Sequence, residues 1–326
     1  MKGAFTKIPI IDVAPLLDPR AARENRNTIA RQIGRACENV GFFYVCNHGL
    51  TEQQRVEVFA AAKEFFALPL EQKMKLHVVN SRQYRGYVPL LGETTGKKRD
   101  WHESLDIQPV FRGESRQEGE MLADAVEGHP LDDLGQWPEG IPFFREVLMR
   151  TWDQLFHLSE KITEGIAMSL GLEADYFKPY TSYACCDLRL AHYPPYEPRE
   201  DVDVDAGMGA HVDNGILTVL PQDEAGGLEV RNAVGTWIPA LHIPETLLVN
   251  IGMMVQRWTN DRFRATWHRV LLPKGNSRYS FPFFYEVPYD VVVEPLAVCC
   301  SEQNPPRYGP LHVGTHAKSV LSKAYA

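Results

Sequence analysis

Apolar positions recur with a helical period in the first half of this chain and with a two-residue period in much of the second. Glu24 to Asn39 carries Ile29, Ile33 and Cys37 at helical spacing, Val40 follows, and Gly41 stops the run. Ile8 to Val13 predicts a strand closed by Pro15, and Phe42-Phe43-Tyr44-Val45-Cys46 predicts a buried one. Thr51 and Gln54 have the spacing of a capping box for a helix bearing Val56, Phe59, Ala60 and Phe66 and ending at Pro69. A long helix fits Pro142 to Leu170, with Phe144, Leu148, Trp152, Leu155, Leu158, Ile162 and Ile166 on one stripe and Gly171 as its stop. From Leu188 the texture changes to short strands between turns. They are Leu188–Tyr193, Gly215–Leu220, Gly227–Arg231, Thr236–Ala240, Leu247–Ile251, Ala265–Leu272 and Tyr279–Val287. Such signals at roughly ten-residue spacing predict a sandwich or barrel.

Residues 80–140 fit neither period and read as irregular. They hold Tyr84-Arg85-Gly86-Tyr87, Asp100-Trp101-His102-Glu103 and a polar, Gly-rich run from Arg112 to Gly140. That length without regular structure suits a lid or binding loop. The expected organisation is an N-terminal region, 1–140, packing on the remainder. Residues 141–326 then supply the long helix, a β core over about 182–288 and a C-terminal tail. No tandem repeat divides the chain, and one compact unit is expected.

Composition narrows the function classes. With 326 residues and 44% hydrophobic content, the chain has the material for a sizeable core. A net charge of −8 argues against a nucleic-acid surface, and the local cluster Arg82, Arg85, Lys97, Lys98 and Arg99 reads as a solvated face. Of the six cysteines, four form the adjacent pairs Cys185-Cys186 and Cys299-Cys300, which suits neither a disulfide framework nor zinc knuckles. Met1-Lys2-Gly3-Ala4-Phe5-Thr6-Lys7 lacks the apolar core of a signal peptide, and no stretch has the length of a membrane span. A protein of the reducing cytoplasm, with no membrane and no obligate protein partner, is expected.

The chemistry concentrates in the β half. If His211-Val212-Asp213 is extended, the two-residue period puts both polar side chains on one face, and His268 arrives from a separate strand. Two imidazoles and a carboxylate occupy one face of an iron(II) ion and leave positions open, although the same set also suits catalytic zinc. Arg278 and Ser280 repeat the i, i+2 logic, and together they can grip a carboxylate, with Tyr193 offering a further donor. Phe281, Phe283 and Phe284 imply a dry setting in which an unpaired Arg is costly, and a bound anion would remove that cost. The other histidines compete weakly: His48 and His192 adjoin core strands, His242 lies in a turn, and His312 and His316 read as surface or tail residues because Gly309, Pro310 and Gly314 weaken a helix there.

These residues, in this order, resemble the iron(II)/2-oxoglutarate-dependent oxygenases, in the branch that includes isopenicillin N synthase. The resemblance runs through Gly41-Phe42-Phe43, Asn47-His48-Gly49, Arg85-Gly86-Tyr87, His192-Tyr193-Pro194, Asp213-Asn214-Gly215, Asn250-Ile251-Gly252, Arg257-Trp258-Thr259-Asn260 and His268-Arg269-Val270. It closes on Arg278-Tyr279-Ser280-Phe281-Pro282-Phe283-Phe284. It implies an α+β, β-rich fold whose core is a double-stranded β-helix (jelly roll) with flanking α-helices. It implies His211, Asp213 and His268 as ligands of Fe(2+), and Arg278, Ser280 and Tyr193 as the grip on 2-oxoglutarate, with Arg189 close to that co-substrate. Three departures from the common pattern are Ala191, Met253 and Trp267.

The activity implied couples oxidative decarboxylation of 2-oxoglutarate, with O2, to hydroxylation, desaturation or cyclisation of a small molecule. Within the same family an Arg-x-Ser pair can instead hold a substrate carboxylate, as in an oxidase that does not use 2-oxoglutarate. A zinc hydrolase and a non-catalytic binding protein are the other classes in view. Tyr84, Arg85, Tyr87, His102, Phe284 and Glu286 are the candidate substrate contacts.

Overall fold

A computed structural model describes residues 4–81, 85–107, 137–181, 185–198, 200 and 202–324. In chain order the N-terminal strands are β1 (Ile10–Asp12), β2 (Phe42–Cys46), β3 (Gly86–Val88), β4 (Thr94–Thr95), β5 (Lys98–Arg99) and β6 (Glu103–Ile107). The helices among and after them are α1 (Ala14–Leu17), α2 (Arg23–Asn39), α3 (Glu52–Phe66), α4 (Leu70–Met74) and the long α5 (Phe144–Ser169). The β half contributes β7 (Asp187–Tyr193), β8 (Met208–His211), β9 (Leu217–Leu220), β10 (Leu228–Arg231), β11 (Trp237–Pro239) and β12 (Thr246–Ile251). A short helix α6 (Met253–Trp258), strands β13 (His268–Val270), β14 (Arg278–Ser280) and β15 (Phe283–Tyr285), and a C-terminal helix α7 (Val313–Ala324) follow.

Two sheets result. The larger has nine strands in the order β1-β2-β12-β9-β15-β7-β6-β3, with β14 also paired to β7; the smaller runs β11-β10-β13-β8. Residues of both sheets share one apolar cluster, in which Tyr193 and Leu248 meet Leu228, Val230 and Val270, so the sheets pack face to face as in a jelly roll.

Residue parity explains the layers. In β2, Phe43 and Val45 join the main core while Phe42 and Tyr44 enter the smaller cluster between the sheets. In β7, Leu188 and Leu190 face the main core, and Ala191 and Tyr193 the inter-sheet space. The outer face of the large sheet is covered by α2, α3 and α5 through Ile33, Phe65 and Trp152. The opposite parity is therefore the barrel interior, and Asp187, Arg189, Thr218, Asn250, Arg278, Ser280, Phe284 and Glu286 all carry it.

Most expected elements form within two residues of their expected ends. The Thr51–Gln54 capping box is present in both directions, and all seven stripe residues of α5 are buried. Three corrections arise. Val56 and Ala60 of α3 are exposed, and the buried stripe is Val58, Phe59, Ala61, Ala62, Phe65 and Phe66. Residues 86–107, expected to be irregular, contain β3 and β6, which extend the large sheet beyond β7. These strands are three and five residues long, too short to stand out from the polar sequence around them. Third, Val313 to Ala324 is helical despite Gly314. The stretch from Arg112 to Gly140 lies largely outside the described residues. Among the described residues, no helix is long and apolar enough to cross a membrane.

Candidate metal centre and its cavity

β8 and β13 are antiparallel neighbours, and His211 stands directly opposite His268. Asp213 follows β8 by two residues and turns inward below the pair. Its Oδ1 lies 3.5 Å from the Nε2 of each histidine. That is close to the roughly 3 Å edge expected of donors about 2.1 Å from one ion. Every other polar atom of the triad is committed elsewhere. His211 Nδ1 meets the Gly209 carbonyl at 2.8 Å and His268 Nδ1 meets the Thr266 carbonyl at 3.1 Å. With Nδ1–H donating to a carbonyl, each Nε2 keeps its lone pair for a metal. Asp213 Oδ2 accepts from Thr218 Oγ1 and from Asn250 Nδ2, the latter at 2.7 Å, so Oδ1 is left for coordination. Burial pushes the Asp213 carboxyl up, but His268 and His211 outweigh it and hold the group well below the carboxylate range. The donor set fits a divalent iron with one face open.

Arg278 is 2% exposed. Its Nη1 donates to Ser280 Oγ at 3.0 Å, its guanidinium lies 4.8 Å from the Tyr193 ring centre, and its Nε has no partner. Among the described residues no carboxylate pairs with it. A buried cation held only by neutral groups is poised for an anion.

A cavity of about 550 Å³ opens onto the triad at His211 and Asp213. Its wall includes Arg85, Glu93, Asp106, Asp187, Arg189 and Glu286, with apolar surface from Met254, Phe284, Val287 and, on α7, Val313 and Val320. Arg189 grips Asp106 through two bonds of 2.6 and 2.9 Å and Glu93 through a third of 3.0 Å. Burial raises the Glu93 carboxyl, but Arg189 and His102 outweigh it and hold it down to about 2. Burial, reinforced by Asp213, pushes Glu286 up to about 7.

The sequence-based substrate candidates separate accordingly. Arg85, Phe284 and Glu286 line the cavity, as does Arg189, whose three bonds to acids distinguish it from the unpaired Arg278. Tyr87 does not: it is 1% exposed, with its hydroxyl on Glu103, an acid also bound by Lys73 and His192. His102 sits behind the wall, between the Gly207 carbonyl and Glu93. Tyr84 lies outside the described residues. His316, expected at the surface, lines the cavity and meets Asn214 Oδ1 at 3.1 Å. Trp267, one of the departures, stands half-exposed in the cavity wall. Sequence reasoning missed Asp187, Asp106 and Glu93. The signal for Asp187 was its parity with Arg189; Glu93 had none.

An inter-sheet 2-His-1-carboxylate face, together with a buried arginine that no carboxylate pairs among the described residues, fits a non-haem iron oxygenase. Residues 185–287 match the family model described as 2OG-Fe(II) oxygenase superfamily, and residues 8–140 match that of the non-haem dioxygenase in morphine synthesis N-terminal region. The 2-oxoglutarate-Fe(II) type oxidoreductase hxnY of Emericella nidulans is 32% identical, covering 99% of this chain and 91% of that protein. The homoarginine-6-hydroxylase 2-ODD-233 of Oryza sativa is 36% identical over 92% of this chain and 91% of its own length. The crystal structure of a full-length Neurospora crassa protein in complex with alpha-KG superposes with a TM-score of 0.82 at 26% identity, covering 99% of both chains. The chain belongs to the 2OG-Fe(II) oxygenase superfamily and is an oxidoreductase, a dioxygenase whose metal is Fe(II) and whose co-substrates are 2-oxoglutarate and O2.

Proposed function

We propose that His211, Asp213 and His268 hold the iron, that Arg278 and Ser280 grip the distal carboxylate of 2-oxoglutarate, and that Tyr193 completes that grip. The substrate is a small molecule seated in the cavity beside His211 and Asp213. The observation that carries this reading is the buried Arg278 guanidinium with no carboxylate partner among the described residues. Fe(II) held there would let O2 act as the oxidant, two of its four electrons coming from 2-oxoglutarate as it becomes succinate and carbon dioxide and two from the substrate.

The protein positions the reactants and excludes water. Thr218 and Asn250 fix the Asp213 carboxylate, the Gly209 and Thr266 carbonyls fix the two imidazoles, and Tyr193 and Ser280 orient the Arg278 fork. The ordered motifs from Gly41 to Phe284 support the isopenicillin N synthase-like branch. A cytoplasmic location is supported by six cysteines that form no disulfide, and cell fractionation checks it.

The test is anaerobic calorimetric titration of the Fe(II)-loaded protein with 2-oxoglutarate. Arg278→Ala should weaken binding on the order of 100-fold, the scale of losing one partner of a buried ion pair, and Arg278→Lys should fall between. Unchanged affinity in Arg278→Ala would remove the assignment.

A further inference from the structure

We propose that the cavity takes a cationic substrate head, a guanidinium, amidinium or primary ammonium, between the carboxylates of Asp187 and Glu286. The inference rests on the proposed function, because it treats the cavity beside the triad as the substrate site.

Asp187 is 4% exposed and lies on the barrel-interior face of β7. Its Oδ2 accepts from Arg85 at 2.9 Å, but its Oδ1 is buried without a hydrogen-bond partner. Burial pushes this carboxyl well above its ordinary range in spite of Arg85. Glu286 follows β15, whose Phe284 pairs with Asp187, so the two acids sit close together in the same wall. Among the described residues the Glu286 carboxylate has neither a hydrogen bond nor an ion pair. It packs over Gly215, two residues beyond Asp213, where an added Cβ would come within 2.6 Å of Oε2. Gly215 thus leaves room for an acid next to the metal triad rather than for an apolar side chain.

Charge balance points the same way. Fe(II), the Asp213 carboxylate, dianionic 2-oxoglutarate and the Arg278 guanidinium sum to zero. Among the described residues the cavity wall sets four acids, Glu93, Asp106, Asp187 and Glu286, against two arginines, Arg85 and Arg189, so that full ionisation, which a bound cation would favour, leaves two negative charges in excess. His316 and Tyr289 are the other titratable groups facing this space besides His211 of the triad. Arg189 is occupied by Asp106 and Glu93, which leaves Asp187 and Glu286 as the acids with unfilled acceptor capacity. A neutral ligand can donate to these oxygens but leaves their charge uncompensated, and an anionic one adds to it, whereas a forked N–H cation supplies donors and charge together. Met254, Phe284, Val287 and Val313 offer apolar surface for the rest of such a molecule.

The experiment uses the full chain loaded with Fe(II) and 2-oxoglutarate under anaerobic conditions. Calorimetry compares n-butylguanidinium with n-butylurea, a neutral molecule of nearly the same shape. The expected result is a preference of at least tenfold for the guanidinium, reduced about tenfold in Glu286→Gln and in Asp187→Asn, with 2-oxoglutarate affinity held within twofold in both variants. Equal or tighter binding of the urea, no binding of either probe, or an unchanged preference in Glu286→Gln overturns the inference. Because 2-oxoglutarate is titrated first in the same samples, its failure to bind the wild-type protein would strike the proposed function instead. If Asp187→Asn loses 2-oxoglutarate affinity through misfolding, Glu286→Gln alone decides.

Discussion

Asp213 has two oxygens and the site uses them differently: Thr218 and Asn250 occupy Oδ2, and Oδ1 faces both imidazoles. Removing those donors should free the carboxylate to rotate while leaving all three ligands in place. Asn250→Ala and Thr218→Val are therefore expected to weaken Fe(II) or Mn(II) binding by roughly 10- to 100-fold, the usual cost of losing a group that orients a ligand. Metal titration checks this, and affinity within threefold of wild type in both variants would mean that the two bonds are incidental. At this scale the sequence was legible where residue type and spacing coincide. His211-x-Asp213 and Arg278-x-Ser280 announce themselves by parity. Asn250 does not, because an isolated polar residue in an apolar strand has the same appearance whether it supports a metal ligand, faces a cavity or caps a turn. Tyr87 misled for the converse reason: it fell in a stretch expected to be a lid or binding loop, whereas Glu103, Lys73 and His192 form a buried polar network around its hydroxyl.

Among the elements, α7 gives the clearest case of a sequence signal with two meanings. Gly314 reads as a helix breaker, yet it lies in the helix because an added Cβ would meet the Tyr289 carbonyl oxygen at 2.9 Å, and its N–H donates to that same oxygen at 2.8 Å. The glycine serves close approach, which only the fold reveals. The approach brings His316, Ala317 and Val320 into the cavity wall and ties His316 to Asn214, the neighbour of Asp213. Truncation after His312 should open the cavity without touching the Arg278 grip. We expect the substrate KM to rise at least tenfold while 2-oxoglutarate affinity stays within twofold, measured by steady-state kinetics and calorimetry. Loss of both together would show that α7 supports the fold rather than the cavity. β7, β9 and β12 of the β half were legible because they are buried on both faces and rich in Leu, Val and Ile. β3 and β6 were not, since polar Ser104 and Asp106 occupy the barrel-interior side of β6 and Glu103 shares the other face with Leu105 and Ile107.

Across the whole molecule, one parity rule separates structure from chemistry: one face of the large sheet feeds the helix-covered core, and the other lines the barrel with its acids and arginines. A barrel lined this way stores electrostatic cost, and its sign can be read from pH. Glu286 has a folded value of about 7 against an ordinary 4.5, so its contribution to stability is fully present below about pH 4.5 and is lost as pH rises through 7. The loss is at most about 3 kcal/mol for one group shifted this far. Glu93 runs the opposite way: held down to about 2, it stabilises above its ordinary value of 4.5 and loses that contribution only as pH falls toward 2. Between pH 5 and 8 Glu286 therefore dominates this pair. In metal-free protein, Glu286→Gln should remove its share of the decline, narrowing the fall in Tm between those limits by an amount on the order of 4 °C for a chain of this size. The Glu93 limb below pH 4.5 should be unchanged. Calorimetric scans of both proteins, with chelator present throughout, measure the difference. Parallel Tm profiles from pH 5 to 8 would show that the Glu286 carboxylate finds compensation in the folded chain, and the stored charge would have to be sought at Asp187 instead.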